Sequence, residues 1–241
     1  MNNNSIDVLA FGAHPDDVEL AAGGTIAKLV AEGRRVVIAD MTQGEMGTRG
    51  SEETRMKEAF NAAKILGVEE RINLVLPDGY ISDKDENILK TIKIIRKYMP
   101  LAVIIPPAFD RHPDHEAANR IVRTAMFKSG LLKIETGQER HRIRKMYSYM
   151  MSYDFQSKPD FYVDVSDTFQ IKMNAIKTYI SQVHVPGESD PGGPVTRLSR
   201  PEFIEEIEAR AIYFGTKIGV RYAEAFYSVE PLGLSSLSKL L

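Results

Sequence analysis

The 241-residue chain has no cysteine, no tryptophan and only five histidines. Without cysteine there can be no disulfide scaffold, no thiolate-held zinc, no iron–sulfur cluster and no thiol nucleophile. Any metal site must therefore be built from His, Asp or Glu. A dominant charge is missing too: 31 Lys and Arg face 33 Asp and Glu, for a formal net charge of −2. That balance argues against nucleic-acid binding by phosphate neutralisation. No apolar run approaches the roughly 18 residues of a membrane span. The opening stretch Met1–Gly12 lacks the basic and apolar regions of a secretory signal. A cytoplasmic protein is expected, with neither a membrane nor a nucleic acid as partner.

What is present is ordinary globular material, 43% hydrophobic and 27% charged. A chain of this length buries about 70–75% of its unfolded surface, so it needs no structural metal to fold. No repeat or linker stands out, and one domain over residues 1–241 is expected. Short β-rich runs alternate with helical stretches. Strands are expected at Ile6–Phe11, Val36–Ala39, Leu74–Leu76 and Ala102–Ile105, and again at Met146–Met151 and Phe161–Val165. Helices are expected over 22–33, from an N-cap at Ser51 to Gly67, and over Glu86–Tyr98, Pro113–Phe127, Ile171–Val183 and Pro201–Gly215. This alternation indicates an α/β fold: a Rossmann-like open, mostly parallel sheet with helices on both faces and a less regular C-terminal part. The Gly- and Pro-rich stretch Pro186–Pro201 reads as a mobile lid or insertion.

Two clusters carry chemistry. The first, Gly12-Ala13-His14-Pro15-Asp16-Asp17-Val18-Glu19, directly follows the first strand. Acidic residues there could simply favour a helix N-terminus, an effect of about 0.3–1 kcal/mol. That accounts for one Asp, not for adjacent carboxylates beside a His at a strand end. The second, Asp110-Arg111-His112-Pro113-Asp114-His115-Glu116, follows the fourth strand in the same way. If those strands are neighbours, both loops meet at the carboxyl edge of the sheet, where open α/β sheets bind ligands. A His-Asp-His set with a position left for water suits a catalytic Zn2+, although Fe2+, Co2+ or manganese would also be accepted. A spare carboxylate could take a proton from the water. Of Asp16 and Asp17, one would ligate and the other act as base.

AHPDDVE followed about a hundred residues later by HPDH resembles the LmbE-like zinc N-deacetylases of the N-acetylglucosaminyl-phosphatidylinositol de-N-acetylase type. The likeness extends to TRMKEA (Thr54–Ala59), RHPDH (Arg111–His115) and GVRYAEAF (Gly219–Phe226), and is strongest to the bacillithiol-biosynthesis branch and its N,N′-diacetylchitobiose-type relatives. The resemblance implies Zn2+ on His14, Asp17 and His115, with Asp16 as general base. It implies that His112 stabilises the oxyanion or protonates the leaving amine, with Asp114 orienting or charging it. Arg55 would contact the sugar or its aglycone, and Arg111 an anionic aglycone such as malate. The implied substrate is a small amino-sugar conjugate, N-acetylglucosaminyl-malate first. The alternatives are another N-acetylated sugar, such as a chitooligosaccharide or an antibiotic precursor, and a non-catalytic metal- or sugar-binding protein. A homo-oligomer is expected. Some relatives place a substrate-binding Tyr in the helix after the Val183–Arg200 loop; here Phe203 stands near that point, so no residue of the loop is given a role.

Other features have plainer readings. Gly12, Gly23 and Gly24 form no G-x-G-x-x-G, and carboxylates stand where a phosphate would sit. The basic stretch Arg140–Lys145 reads as a solvated loop or oligomer contact. Tyr222 and Glu224 read as packing of a last strand, Asp78-Gly79 as a turn, Met41–Met46 as part of a pocket wall, and His141 and His184 as structural or peripheral.

Overall fold

The structure is a computed structural model describing residues 5–151, 158–188, 192–233 and 236. Residues 189–191 of the expected lid, like residues 1–4, lie outside the described residues. The elements run β1 (Val8–Gly12), α1 (Asp17–Ala31), β2 (Val36–Asp40), α2 (Glu52–Leu66), β3 (Glu70–Asn73), α3 (Asp85–Tyr98), β4 (Ala102–Ile105) and α4 (Pro113–Ser129). They continue with β5 (Met146–Tyr149), β6 (Phe161–Asp164), α5 (Phe169–Ile176), α6 (Glu202–Ile218) and β7 (Ala223–Ser228).

The seven strands form one sheet of order β3-β2-β1-β4-β5-β7-β6. β1 pairs in parallel with both β2 and β4, so the switch point lies between the loops that carry the two clusters. β7 runs antiparallel to β5 and to β6, which is the form taken by the less regular C-terminal part. Alternate residues of β1 feed opposite cores, as a period of two requires. Val8 and Ala10 join the core under α1, α2, α5 and α6, while Leu9 and Phe11 join the one under α3 and α4. Both faces are covered, as expected for a buried parallel sheet.

Three expectations need correction. α1 begins at Asp17, five residues before the expected start. Its polar first turn hid it, because Asp17 and Glu19 are buried like core residues. The third strand is Glu70–Asn73, not Leu74–Leu76. The polar edge strand is held by Arg71, which donates to Asp40 Oδ2 at 2.7 Å and Oδ1 at 2.9 Å and also to Glu19 Oε1. Leu74 and Leu76 are buried just beyond it, so their apolarity marked burial without a strand. α5 stops at Ile176 rather than Val183, and turns follow.

Gly23 and Gly24 serve packing. A Cβ on Gly24 would lie 2.8 Å from Val165 Cβ, and one on Gly23 would lie 3.1 Å from Lys172 Cγ. Glu224 closes this junction by accepting from Gly24 N–H (2.9 Å), Thr25 N–H (2.7 Å) and Lys172 Nζ (2.6 Å). Tyr222 stacks on Phe169 at 4.0 Å, which agrees with the packing read for this segment. Among the described residues, no helix is long and apolar enough to cross a membrane.

Candidate active site

The loop after β1 reverses sharply into α1. Asp16 is its N-cap residue, at φ 116° and ψ −25°. That left-handed backbone is costly for a residue with a Cβ, and such strain concentrates at functional sites. The turn leaves Asp16 and Asp17 pointing into one cavity with His14, while Glu19, two residues on, points away into the Arg71 ion pairs. The loop after β4 supplies His112, which caps α4 by accepting the Asp114 N–H on Nδ1 at 3.3 Å, and Pro113 occupies the first turn.

The two clusters converge. Asp17 Oδ2 lies 3.5 Å from His14 Nδ1, and Asp17 Oδ1 lies 3.3 Å from His115 Nε2. The His14 and His112 rings are 4.6 Å apart, and those of His112 and His115 are 4.9 Å apart. The far nitrogen of each buried imidazole faces a carboxylate. His14 Nε2 meets Asp78 Oδ1 at 3.0 Å and Asp114 Oδ2 at 3.3 Å, and His115 Nδ1 lies 3.2 Å from Asp110 Oδ1 without the alignment of a hydrogen bond. The Asp114 carboxylate also accepts from Gly79 N–H at 2.7 Å. Asp114 therefore orients His112 through its backbone and His14 through its side chain.

Sequence reasoning gave Asp78 only a turn and Asp110 no role. Their signal was position: each follows a strand end that feeds the same sheet edge. Arg55 is buried, donating to Pro15 O at 2.7 Å, Gly44 O at 3.3 Å and Asp16 Oδ2 at 3.2 Å. Gly44 permits this approach, since a Cβ there would collide with the guanidinium. Arg111 is exposed and lines the same cavity. Met46 also lines it, whereas Met41 belongs to the core. His141 bonds to Pro100 O at 2.7 Å, and His184 lines a different recess beside Arg49.

The electrostatics follow from burial against paired charge. Burial opposes a proton on His14, but the carboxylates of Asp114, Asp17 and Asp78 outweigh it and hold its pKa well above the ordinary histidine value. His115 behaves likewise, pushed up to about 9 against its own burial, chiefly by Asp17. Asp17 is itself buried, yet the two imidazoles draw its pKa far down. Asp16 differs: burial raises it to about 7, with Arg55 opposing and Asp17 assisting. Burial lowers His112, and repulsion from His14 and His115 lowers it further.

Among the described residues, two triads place ligand atoms within 4.8 Å of one another: His14 with His112 and His115, and His14 with Asp78 and Asp114. His115 Nδ1 and Asp110 Oδ2 are buried with no hydrogen-bond partner. Imidazole nitrogens and carboxylate oxygens around a cleft form a donor set that suits a borderline divalent cation. The cavity measures about 290 Å3, at the small end of ligand sites.

Residues 9–126 match the family described as PIG-L, GlcNAc-PI de-N-acetylase. The diacetylchitobiose deacetylase of Thermococcus kodakarensis is 31% identical over 237 residues, spanning 92% of this chain and 82% of that one. The chain belongs to the PIG-L family. A probable N-acetyl-α-D-glucosaminyl L-malate deacetylase 2 of Bacillus cereus is 29% identical over 188 residues, spanning 73% of this PIG-L chain and 83% of its own. The crystal structure of the conserved protein TT1542 from Thermus thermophilus superposes with a TM-score of 0.84 at 36% identity, covering 95% of this chain and 97% of that one. This PIG-L protein is an N-deacetylase with a His/Asp cluster able to hold a metal.

Proposed function

We propose that this PIG-L enzyme hydrolyses the acetamide of an N-acetylglucosaminyl conjugate, with N-acetylglucosaminyl-malate as its substrate. The observation that carries the reading is Asp16, a buried carboxylate that faces the cavity beside His14, Asp17 and His115 and is held there by Arg55 at 3.2 Å. A binding module has no use for such a group, whereas hydrolysis needs a base placed beside the attacking water.

His14, Asp17 and His115 would hold the cation, Zn2+ before Fe2+ or Co2+. Bound there, it supplies Lewis acidity to the amide oxygen and acidifies water. Asp16 takes the proton of the attacking water, and Arg55 holds Asp16 in place while lining the cavity beside the sugar. His112 accepts a hydrogen bond on Nδ1, so its remaining proton sits on Nε2, available to the oxyanion and then to the departing amine. Asp78, Asp114 and Asp110 fix the orientations of His14 and His115 from behind, as outer carboxylates do around metal-bound histidines. Arg111, exposed at the cavity wall, faces the aglycone and suits a carboxylate. The enzyme works in the cytoplasm as a homo-oligomer, with no membrane or nucleic-acid partner; sedimentation of the purified protein checks the assembly.

The test is acetate release from N-acetylglucosaminyl-malate by metal-loaded protein, with and without a chelator. Loss of activity with the chelator and recovery with Zn2+ are expected. No acetate with any divalent metal, on any N-acetyl sugar, would remove the reading. Similarity to the Thermococcus enzyme favours a second substrate, diacetylchitobiose. Arg111→Ala separates the two: it weakens turnover of the malate conjugate and spares the neutral disaccharide.

A further inference from the structure

The cavity is lined from two stretches of chain, one that ends at His115 and one that begins at Met151. Every residue of the proposed reaction belongs to the first. In the second lies Gln182, a neutral side chain whose amide is held in one orientation. It sits in the turns after α5, with its backbone N–H bonded to Tyr179 O at 2.8 Å, and it is only 8% exposed. Its neighbour Ser181 pins these turns to α2. The Ser181 backbone N–H donates to Glu58 Oε1 and its hydroxyl to Glu58 Oε2, each at 2.7 Å. Glu58 stands one turn along α2 from Arg55, the residue that holds Asp16. The loop after β2 closes on the same turns at Gly50, where a Cβ would lie 2.7 Å from Ser181 Oγ.

Gln182 Nε2 donates to Arg49 O at 2.7 Å and to Ser181 Oγ at 2.9 Å, so both amide protons are used. Ser181 Oγ can receive one because its own proton goes to Glu58. A reversed amide would press Oε1 against the Arg49 carbonyl, two acceptors with no proton between them. Oε1 makes no hydrogen bond among the described residues, and it is not sealed in the interior. It is therefore the polar atom that Gln182 offers to the cavity it lines. The group it fits is a donor. Neither amide hydrogen bond goes to His14, Asp16, Asp17 or His115, so this oxygen serves a part of the substrate other than the reacting amide. Away from its acetamide, an amino sugar offers hydroxyl donors. The carboxylates around the cavity are already engaged, Asp16 with Arg55, Asp17 with His14 and His115, and Asp78 with His14. The arginines can only donate. Gln182 Oε1 is an uncharged acceptor free to take a hydroxyl proton.

Resting on the deacetylase reading, we infer that Gln182 is a specificity-determining residue: its Oε1 accepts a hydrogen bond from one hydroxyl of the amino sugar, at position 3, 4 or 6, and selects against sugars in which that hydroxyl is missing or substituted. Arg49 O and Ser181 Oγ keep the amide in the accepting orientation, so the side chain does not turn to serve as a donor.

The methyl glycoside of N-acetylglucosamine is offered to the metal-loaded enzyme beside its 3-, 4- and 6-deoxy and deoxyfluoro forms, and released acetate is measured. At one position both analogues are expected to lose at least about fivefold in kcat/KM, the loss of one hydrogen bond to a neutral acceptor. Fluorine cannot donate, so it does not rescue. In Gln182→Met the parent should fall to the level of those two analogues, while the ratios at the other positions stay. Ser181→Ala removes one of the two holds on the amide and should lower the same ratio at least about twofold. That variant decides the matter if Gln182→Met does not fold, and a ratio unmoved at every position overturns the inference. The same sugars are titrated into both proteins by calorimetry. A Gln182-dependent preference in binding, with no acetate from any sugar, keeps the role of Gln182 and removes the hydrolase reading. Acetate release with ratios equal in wild type and variant does the reverse.

Discussion

Two groups of buried charge lie within a few residues of each other and differ in kind. Arg71, Asp40, Glu19 and Tyr179 form a closed set: the guanidinium grips both carboxylates, and Tyr179 donates to Glu19 Oε1 at 3.1 Å. Both carboxylates are bonded from within by the same guanidinium, and the set borders no cavity among those described. The active-site group has carboxylates facing the His14 and His115 imidazoles, a buried His115 nitrogen with no hydrogen bond, and an opening to the cavity. One helical turn feeds both, since Asp16 and Asp17 enter the open group and Glu19 the closed one. Motif density alone would have put all three in the same place. A buried charged group marks a working site when some of its polar atoms lack hydrogen bonds and it faces a cleft.

Breaking this contrast should have its largest effect at Asp16. Asp16→Ala is expected to lower turnover by about 10²–10⁴-fold, the usual contribution of a general base, while metal analysis shows the cation retained. Near-full turnover would remove Asp16 as the base. In the closed group, Arg71→Met strands two buried carboxylates. It should cost about 3–5 kcal/mol in urea unfolding and leave the metal affinity of the folded protein unchanged. A third change works on the open group from behind. Asp78→Asn weakens the hold on His14 Nε2 and should lower metal affinity about 10–100-fold in chelator competition; unaltered affinity would mean that Asp78 does not position the ligand.

The mildest test is pH. As the proposed base, Asp16 would act only when ionised, and burial raises its pKa to about 7 without metal. A bound cation draws that value down, so kcat/KM should fall with acidification on a limb at or below pH 7. Residual activity of Asp16→Asn should lack the limb. The same inversion affects the metal-free fold. A carboxyl whose folded pKa is raised binds more protons folded than unfolded, so its contribution to stability declines as pH climbs from about 4 to about 7.

Much of this was legible in the sequence. Period-two and helical patterns placed β1, β2, β4, α2, α3 and α4 within a few residues, because their apolar faces meet a sheet covered on both sides. The two His/Asp clusters were legible because each stands at a strand end. β3 was not, since its inward residue is a charged Arg71 satisfied by Asp40 and Glu19, partners 31 and 52 residues away. The start of α1 was missed for the same reason, its buried face being ionic. Asp78 looked like a turn because nothing local says that its carboxylate reaches His14. Long-range pairing of charge leaves no period in a sequence.

The division of the cavity wall has a consequence for how such an enzyme diversifies. Every ionisable residue placed at the reaction lies between His14 and His115, inside the 9–126 stretch that matches the family. The rest of the lining comes from Met151, Gln182, Arg197, Leu198, Phe203, Ile207 and Arg210, outside that stretch. The cavity lining is thus drawn from two lengths of polypeptide, one inside the family match and one beyond it. Grafting the segment from 194 to 210 out of a relative would exchange that part of the lining while every residue between His14 and His115 stays as it is.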